Sequence, residues 1–235
     1  MFGLYETWFD IAKGFSYSQR LHVGLFLYLR SLMLLMILDI LGTFAFAISG
    51  AEKAVRYRLD WLGLIVLATV TGIGGGIMRD VMLGATPPAA LTNPIYIPIC
   101  FVGAFFYLAM RKRIRKIRTL ILVADALGLG FFTAVGAAKA SAMAAGPYSI
   151  ILFAAITAAG GGLIRDLLVS EIPQVLKSDF YATAALIGGI LFYALDFSNL
   201  GSTPQILITT AFTFALRLFV MRKKIQLPKT RKSDF

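Results

Sequence analysis

The chain is poor in the residues that do most enzyme chemistry. It has one cysteine, Cys100, and one histidine, His22, in 235 residues. No disulfide framework and no Cys/His metal site can be assembled from one of each. A Ser-His or Cys-His nucleophile would have to rest on His22 near the N-terminus, so hydrolytic chemistry of that kind is set aside. Charge is scarce as well. Only 15% of residues are Asp, Glu, Lys or Arg, against about 25% in soluble domains. No metal, organic cofactor or catalytic function is expected.

What is present is apolar. Hydrophobic residues make up 58% of the chain, which excludes disorder and points to an integral membrane protein. The net charge of +11, from 23 Lys+Arg against 12 Asp+Glu, then reads as cytoplasmic loop charge rather than a nucleic-acid site. Seven apolar runs approach the roughly 20 residues that a membrane helix needs: about 33–53, 61–84, 94–110, 119–139, 149–170, 180–196 and 204–221. The third and sixth are short. Residues 1–30 lack a small-residue cleavage site and fit a secretory signal poorly. They read as a surface segment or as an N-terminal extension of the first helix.

Basic residues fall on alternate connections. Lys53, Arg56 and Arg58 follow the first run, six basic residues crowd Arg111–Arg118 after the third, and Arg222-Lys223-Lys224 opens a basic tail after the seventh. The opposite loops, 85–93, 141–148 and 197–203, contain no Lys or Arg. The positive-inside rule predicts a multi-pass cell-membrane protein with the N-terminus outside and the C-terminus in the cytoplasm. Lys13, Arg20 and Arg30 oppose this weakly. The loop 111–118 reads as a topology signal, with contact to anionic lipid headgroups as a second reading.

The chain repeats itself. Asp39 and Gly42 match Asp125 and Gly128, and Gly50, Lys53 and Ala54 match Gly136, Lys139 and Ala140. Thr71, Gly74-Gly75-Gly76 and Arg79-Asp80 match Thr157, Gly160-Gly161-Gly162 and Arg165-Asp166. Pro87, Gly103 and Phe106-Tyr107 match Pro173, Gly189 and Phe192-Tyr193. Every pair is 86 residues apart without a gap. Each copy holds three runs, and an odd number inverts the second copy in the membrane. The predicted fold is therefore all-α and polytopic, with seven transmembrane helices forming two inverted three-helix repeats and a seventh helix. The division is 1–30 as an N-terminal extension, 31–118 and 119–200 as the repeats, and 201–235 as the last helix and basic tail. Inverted repeats recur in proteins that move solutes across membranes.

The doubled Gly-Gly-Gly-x-x-Arg-Asp motif carries the candidate site. Three glycines in a helix either let another backbone approach closely or interrupt the helix and expose carbonyls to an ion. Both readings stay open for Gly74, Gly75, Gly76, Gly160, Gly161 and Gly162. Charges inside a membrane face protein or water. Depth permits Asp39 to pair with Arg79 in the outer half, and inversion places Asp125 with Arg165 and Asp166 in the inner half. Such pairs either line a pathway or hold the bundle together. Lys53 and Lys139 read as vestibule residues at opposite mouths or as side chains snorkelling to the interface. Arg217 is expected to snorkel, and Glu171, Lys177, Asp179 and Asp196 to be ordinary loop charges. Two arginines against Asp39, Asp80, Asp125 and Asp166 leave the intramembrane set net negative. Small-residue faces such as Gly188-Gly189 would allow close contacts between helices.

The twin motifs, in two three-helix repeats followed by a seventh helix, resemble the prokaryotic TRIC (trimeric intracellular cation) channel family, also named the glycine transporter domain family. The resemblance covers 39–110, 125–196 and the last helix. It implies a homotrimer with a pore through each subunit that conducts potassium or sodium. It also implies bends at Gly74–Gly76 and Gly160–Gly162, with Arg79-Asp80 and Arg165-Asp166 beside them and Lys53 and Lys139 at the pore ends. The Lys-Glu-Val stretch of animal members is absent; Ala51-Glu52-Lys53-Ala54 stands there. Secondary transport of glycine or another small amino acid suits the same features, with Arg79 or Arg165 holding a carboxylate.

Overall fold

A computed structural model describes residues 17–112, 117–177, 180–198, 200–223 and 225. The described residues are helical and contain no strand. The seven long helices are α1 (Tyr17–Arg56), α2 (Trp61–Met82), α3 (Tyr96–Met110), α4 (Ile117–Ala142), α5 (Pro147–Leu168), α6 (Tyr181–Asp196) and α7 (Ser202–Lys223). Two helical turns, Ala89–Thr92 and Gln174–Lys177, precede α3 and α6.

Local chemistry sets the ends. Asp60 caps α2, its carboxylate accepting the Gly63 N–H at 2.7 Å, which satisfies one of the unpaired donors at the helix start. Pro147 opens α5, where its missing N–H costs nothing. Among the described residues, five helices are long and apolar enough to cross a membrane, with the first such stretch at Leu29–Arg56. Helix α1 is 40 residues, or roughly 60 Å, so its Tyr17–Tyr28 portion continues beyond that stretch. Helices α3 and α6 have 15 and 16 residues, roughly 23 Å each against a hydrocarbon core of about 30 Å. The turn before α3 is tied to the bundle through the Ala89 N–H and the turn before α6 through the Gln174 N–H.

The two copies pack in corresponding ways. Helix α1 lies against α2, α3 and α4, while α4 lies against α5, α6 and α1. Helix α2 crosses α5 at the centre, and α7 leans on α4 and α6. A methyl group at Gly75 would overlap the carbonyl oxygen of Thr157, and one at Gly161 would overlap that of Thr71. The two glycine runs therefore meet each other across the pseudo-two-fold axis. The interrupted helix considered above does not form: α2 and α5 are α-helical without a gap through Gly74–Gly76 and Gly160–Gly162. The glycines bring two backbones together instead, the arrangement small residues allow where lipid supplies no hydrophobic drive. Gly188 and Gly189 also pack within the subunit, against Thr213 and Thr133 and against Ala154 and Ile151.

Candidate functional site

The last turns of α2 and α5 each bring an arginine and an aspartate into the bundle. Arg79, Asp80, Arg165 and Asp166 are all buried. A buried charge is costly unless paired and hydrogen-bonded, and each of these is held on several sides.

Asp80 is the centre of one cluster. Its Oδ1 accepts hydrogen bonds from Arg79 Nε and from Lys139 Nζ, both at 2.7 Å. Its Oδ2 accepts the Ala89 N–H at 3.0 Å, which is the first residue of the turn before α3. Arg79 Nη1 lies 3.6 Å from Asp39 Oδ1, and the Tyr96 hydroxyl donates to Asp39 Oδ2. Asp166 is the centre of the other. It accepts from Arg165 Nε at 2.9 Å and from Gln174 N–H at 2.8 Å, and pairs with Lys53 Nζ at 3.1 Å. Arg165 Nη1 lies 3.6 Å from Asp125 Oδ1. Each cluster thus takes its aspartates and arginine from one repeat and its lysine from the other.

The snorkelling reading of the lysines is corrected. The Lys53 side chain is 4% exposed and bonds Asp166 and Glu171; that of Lys139 is 30% exposed and points inward to Asp80. A long side chain snorkels when water is its only partner, and here a buried carboxylate is closer. Arg217 is likewise buried, its guanidinium 4.9 Å over the Tyr181 ring, a cation–π contact. Glu171 is no bystander: it accepts from Lys53 Nζ at 2.7 Å and from the Tyr57 hydroxyl. Those hydrogen bonds hold its carboxyl below the usual carboxylate range. The bond to Glu171 also raises Tyr57, which stays a neutral donor. Lys177 and Asp196 are exposed. Asp179 lies outside the described residues, as do 113–116 of the basic loop, whose Arg111 and Lys112 are exposed.

With the lysines included the charge balance changes. Arg79 and Lys139 against Asp39 and Asp80 sum to zero. Arg165 and Lys53 against Asp125, Asp166 and Glu171 leave one negative charge, which the neighbouring buried Arg217 offsets. The clusters also differ in how fully they are bonded. Ser49 accepts from Arg165 Nη1 at 2.6 Å, whereas Val135 stands at the equivalent position of the other repeat. Arg79 Nη1 has no hydrogen-bond partner among the described residues. It lines a cavity with Asp39, Asp80, Tyr96, Gly76 and Phe132, with room for roughly one water.

Sequence reasoning missed Ser49, Tyr57, Tyr96 and Glu171. Their equivalents 86 residues away are Val135, Met143, Ala182 and Ala85, so the repeat that exposed the other site residues conceals these. Depth was the available signal for Glu171, five residues past Asp166.

The family described as glycine transporter matches residues 36–112 and 122–196, one segment per repeat. The UPF0126 membrane protein of Vibrio cholerae is 38% identical over 196 residues, covering 83% of this chain and 82% of that protein. The UPF0126 inner membrane protein YadS of Escherichia coli is 35% identical over 198 residues, covering 83% and 96%. Among solved structures, one describing conductance through TRIC cation channels is 36% identical, with a TM-score of 0.75 over 83% of this chain and 96% of that one. The TRIC trimeric intracellular cation channel orthologue from Rhodobacter sphaeroides is 34% identical, with a TM-score of 0.77 over 82% and 99%.

Proposed function

Since this chain belongs to the glycine transporter family and shares its fold with the TRIC cation channels, we propose that it is a cation channel of the cell membrane. It conducts potassium or sodium through a path in each subunit of a homotrimer. The path runs between the two repeats, 31–118 and 119–200, from the Asp80 cluster to the Asp166 cluster. The observation that carries this reading is the pair of clusters itself. Arg79, Lys139, Arg165 and Lys53 are each bound to a carboxylate, so none of these four presents an unneutralised positive charge to a passing cation. Glu171 adds a partly exposed carboxylate beside Lys53 at the Asp166 end, a local attraction for cations.

The Asp80 cluster faces outward and the Asp166 cluster faces the cytoplasm, with the N-terminus outside and the C-terminus inside. The alternating loop charge supports this orientation. The basic loop 111–118 then lies at the inner leaflet, where anionic headgroups attract Lys and Arg. Arginines already paired with aspartates are poor ligands for a substrate carboxylate, which weighs against amino-acid transport. Purified protein in planar bilayers under a potassium gradient tests the proposal. Discrete unitary currents are expected. Silent bilayers together with saturable glycine uptake into liposomes overturn it in favour of a transporter.

A further inference from the structure

The two charged clusters do not touch. On α1, Asp39 belongs to one and Lys53 to the other, with Phe46 midway between them. On α4, Asp125 and Lys139 belong to opposite clusters, with Phe132 midway. Seven residues are close to two helical turns, roughly 10 Å along the axis. Charge, ring and charge therefore share one stripe on each helix. Phe46 and Phe132 are themselves repeat equivalents, 86 residues apart.

The rings meet at the middle of the bundle. Their centroids are 5.2 Å apart in an edge-to-face arrangement, and each residue is 1% exposed. Each ring is seated on a glycine of the other helix. A methyl at Gly42 would come within 2.9 Å of the Phe132 ring, and one at Gly128 within 2.6 Å of the Phe46 ring. Phe132 also lines the cavity below Arg79 and Asp80. Phe46 reaches the α2–α5 crossing, 3.4 Å from where a methyl at Gly161 would stand. Leu129, Ala155, Ala158 and Ala159 belong to the same hydrophobic cluster as the two rings.

We propose that Phe46 and Phe132 together form a dry aromatic constriction at mid-membrane that separates two charged vestibules and limits the current. This rests on the channel reading above. An apolar constriction excludes water, and an ion that must shed its shell there without replacement ligands is held back. Glycines at 42 and 128 supply the space that lets the rings close on each other. The rings, and not the ion-paired clusters, are then the rate-limiting element of the path.

The test compares wild-type protein with Phe46→Ala, Phe132→Ala and the double variant in planar bilayers of symmetrical potassium chloride. Phe132→Leu keeps most of the packing and serves where the alanine variants do not fold. Each alanine variant is expected to raise the mean current per channel several-fold, the double variant more than either, and Phe132→Leu to fall between wild type and Phe132→Ala. Admission of a larger cation such as tetramethylammonium by the double variant gives a second readout, which a purely structural role would not move. Folded alanine variants that melt at lower temperature with wild-type currents and selectivity overturn the constriction and leave the channel intact. So does an unchanged current in Phe132→Leu when the alanine variants are unfolded. A silent wild type instead sinks the channel reading, and this inference with it.

Discussion

Arg79 and Arg165 occupy equivalent positions and are not equally satisfied. Arg165 donates to Asp166 and to Ser49, and pairs with Asp125. Replacing Ser49 with alanine leaves a buried guanidinium N–H without its acceptor, which costs about 1–3 kcal/mol. Thermal unfolding in detergent should register that loss in Ser49→Ala. Truncating the arginine itself goes further. Arg165→Met strands Asp125, while Lys53 still neutralises Asp166, and breaking a buried pair this way costs about 3–5 kcal/mol. Glu171 adds a dependence on pH. Its carboxyl is held below the usual range by Lys53 and Tyr57, so its stabilisation is complete above about pH 5. It is lost as pH falls through the depressed value. The melting difference between wild type and Glu171→Gln should be flat from about pH 5 to 8 and shrink on acidification below about pH 4. Because Glu171 is partly exposed, the difference should be small and reduced by salt.

At the level of elements, hydropathy located the helices because each must be apolar along its length to lie in lipid, whatever its partners are. The Arg79–Asp39 and Arg165–Asp125 pairs were legible from depth for the same reason. A charge in the membrane needs a partner at its own height. The behaviour of the glycines was not legible, since a run of three permits a break or a close approach, and only the facing backbone decides. That backbone is the matching run. Alanine in a helix is ordinarily about 1 kcal/mol better than glycine. At Gly75 or Gly161 the added methyl would overlap a carbonyl of the opposite helix, and overpacking of this kind costs about 1–3 kcal/mol. Gly75→Ala and Gly161→Ala should therefore lower the melting temperature. Gly146→Ala, where a methyl meets nothing within 4 Å, should leave it nearly unchanged. The partners of the lysines were not legible for a related reason: they lie in the other repeat, at sequence separations no local pattern encodes.

For the whole molecule, duplication explains both the order and its exceptions. One three-helix unit builds its own aspartate–arginine pair and borrows a lysine from its inverted copy, so neither unit is complete alone. Reporter fusions test the resulting orientation: a tag after Lys223 should be reached only from the cytoplasm, and one in the loop at Ala85 only from outside. The seventh helix and the unmatched residues Ser49, Tyr57 and Glu171 attach chiefly to the second copy's cluster. The two ends of the path are consequently alike in shape and unequal in their carboxylates, with Glu171 at one and Ala85 at the equivalent position of the other. A path with identical ends passes current equally in both directions; one with a fixed negative charge at a single mouth gathers cations there and does not. In symmetrical potassium chloride the current–voltage curve should bend, with the larger current for cations that start from the Glu171 side. Glu171→Gln should change the bend, making this one loop carboxylate a contributor to the protein's electrical polarity.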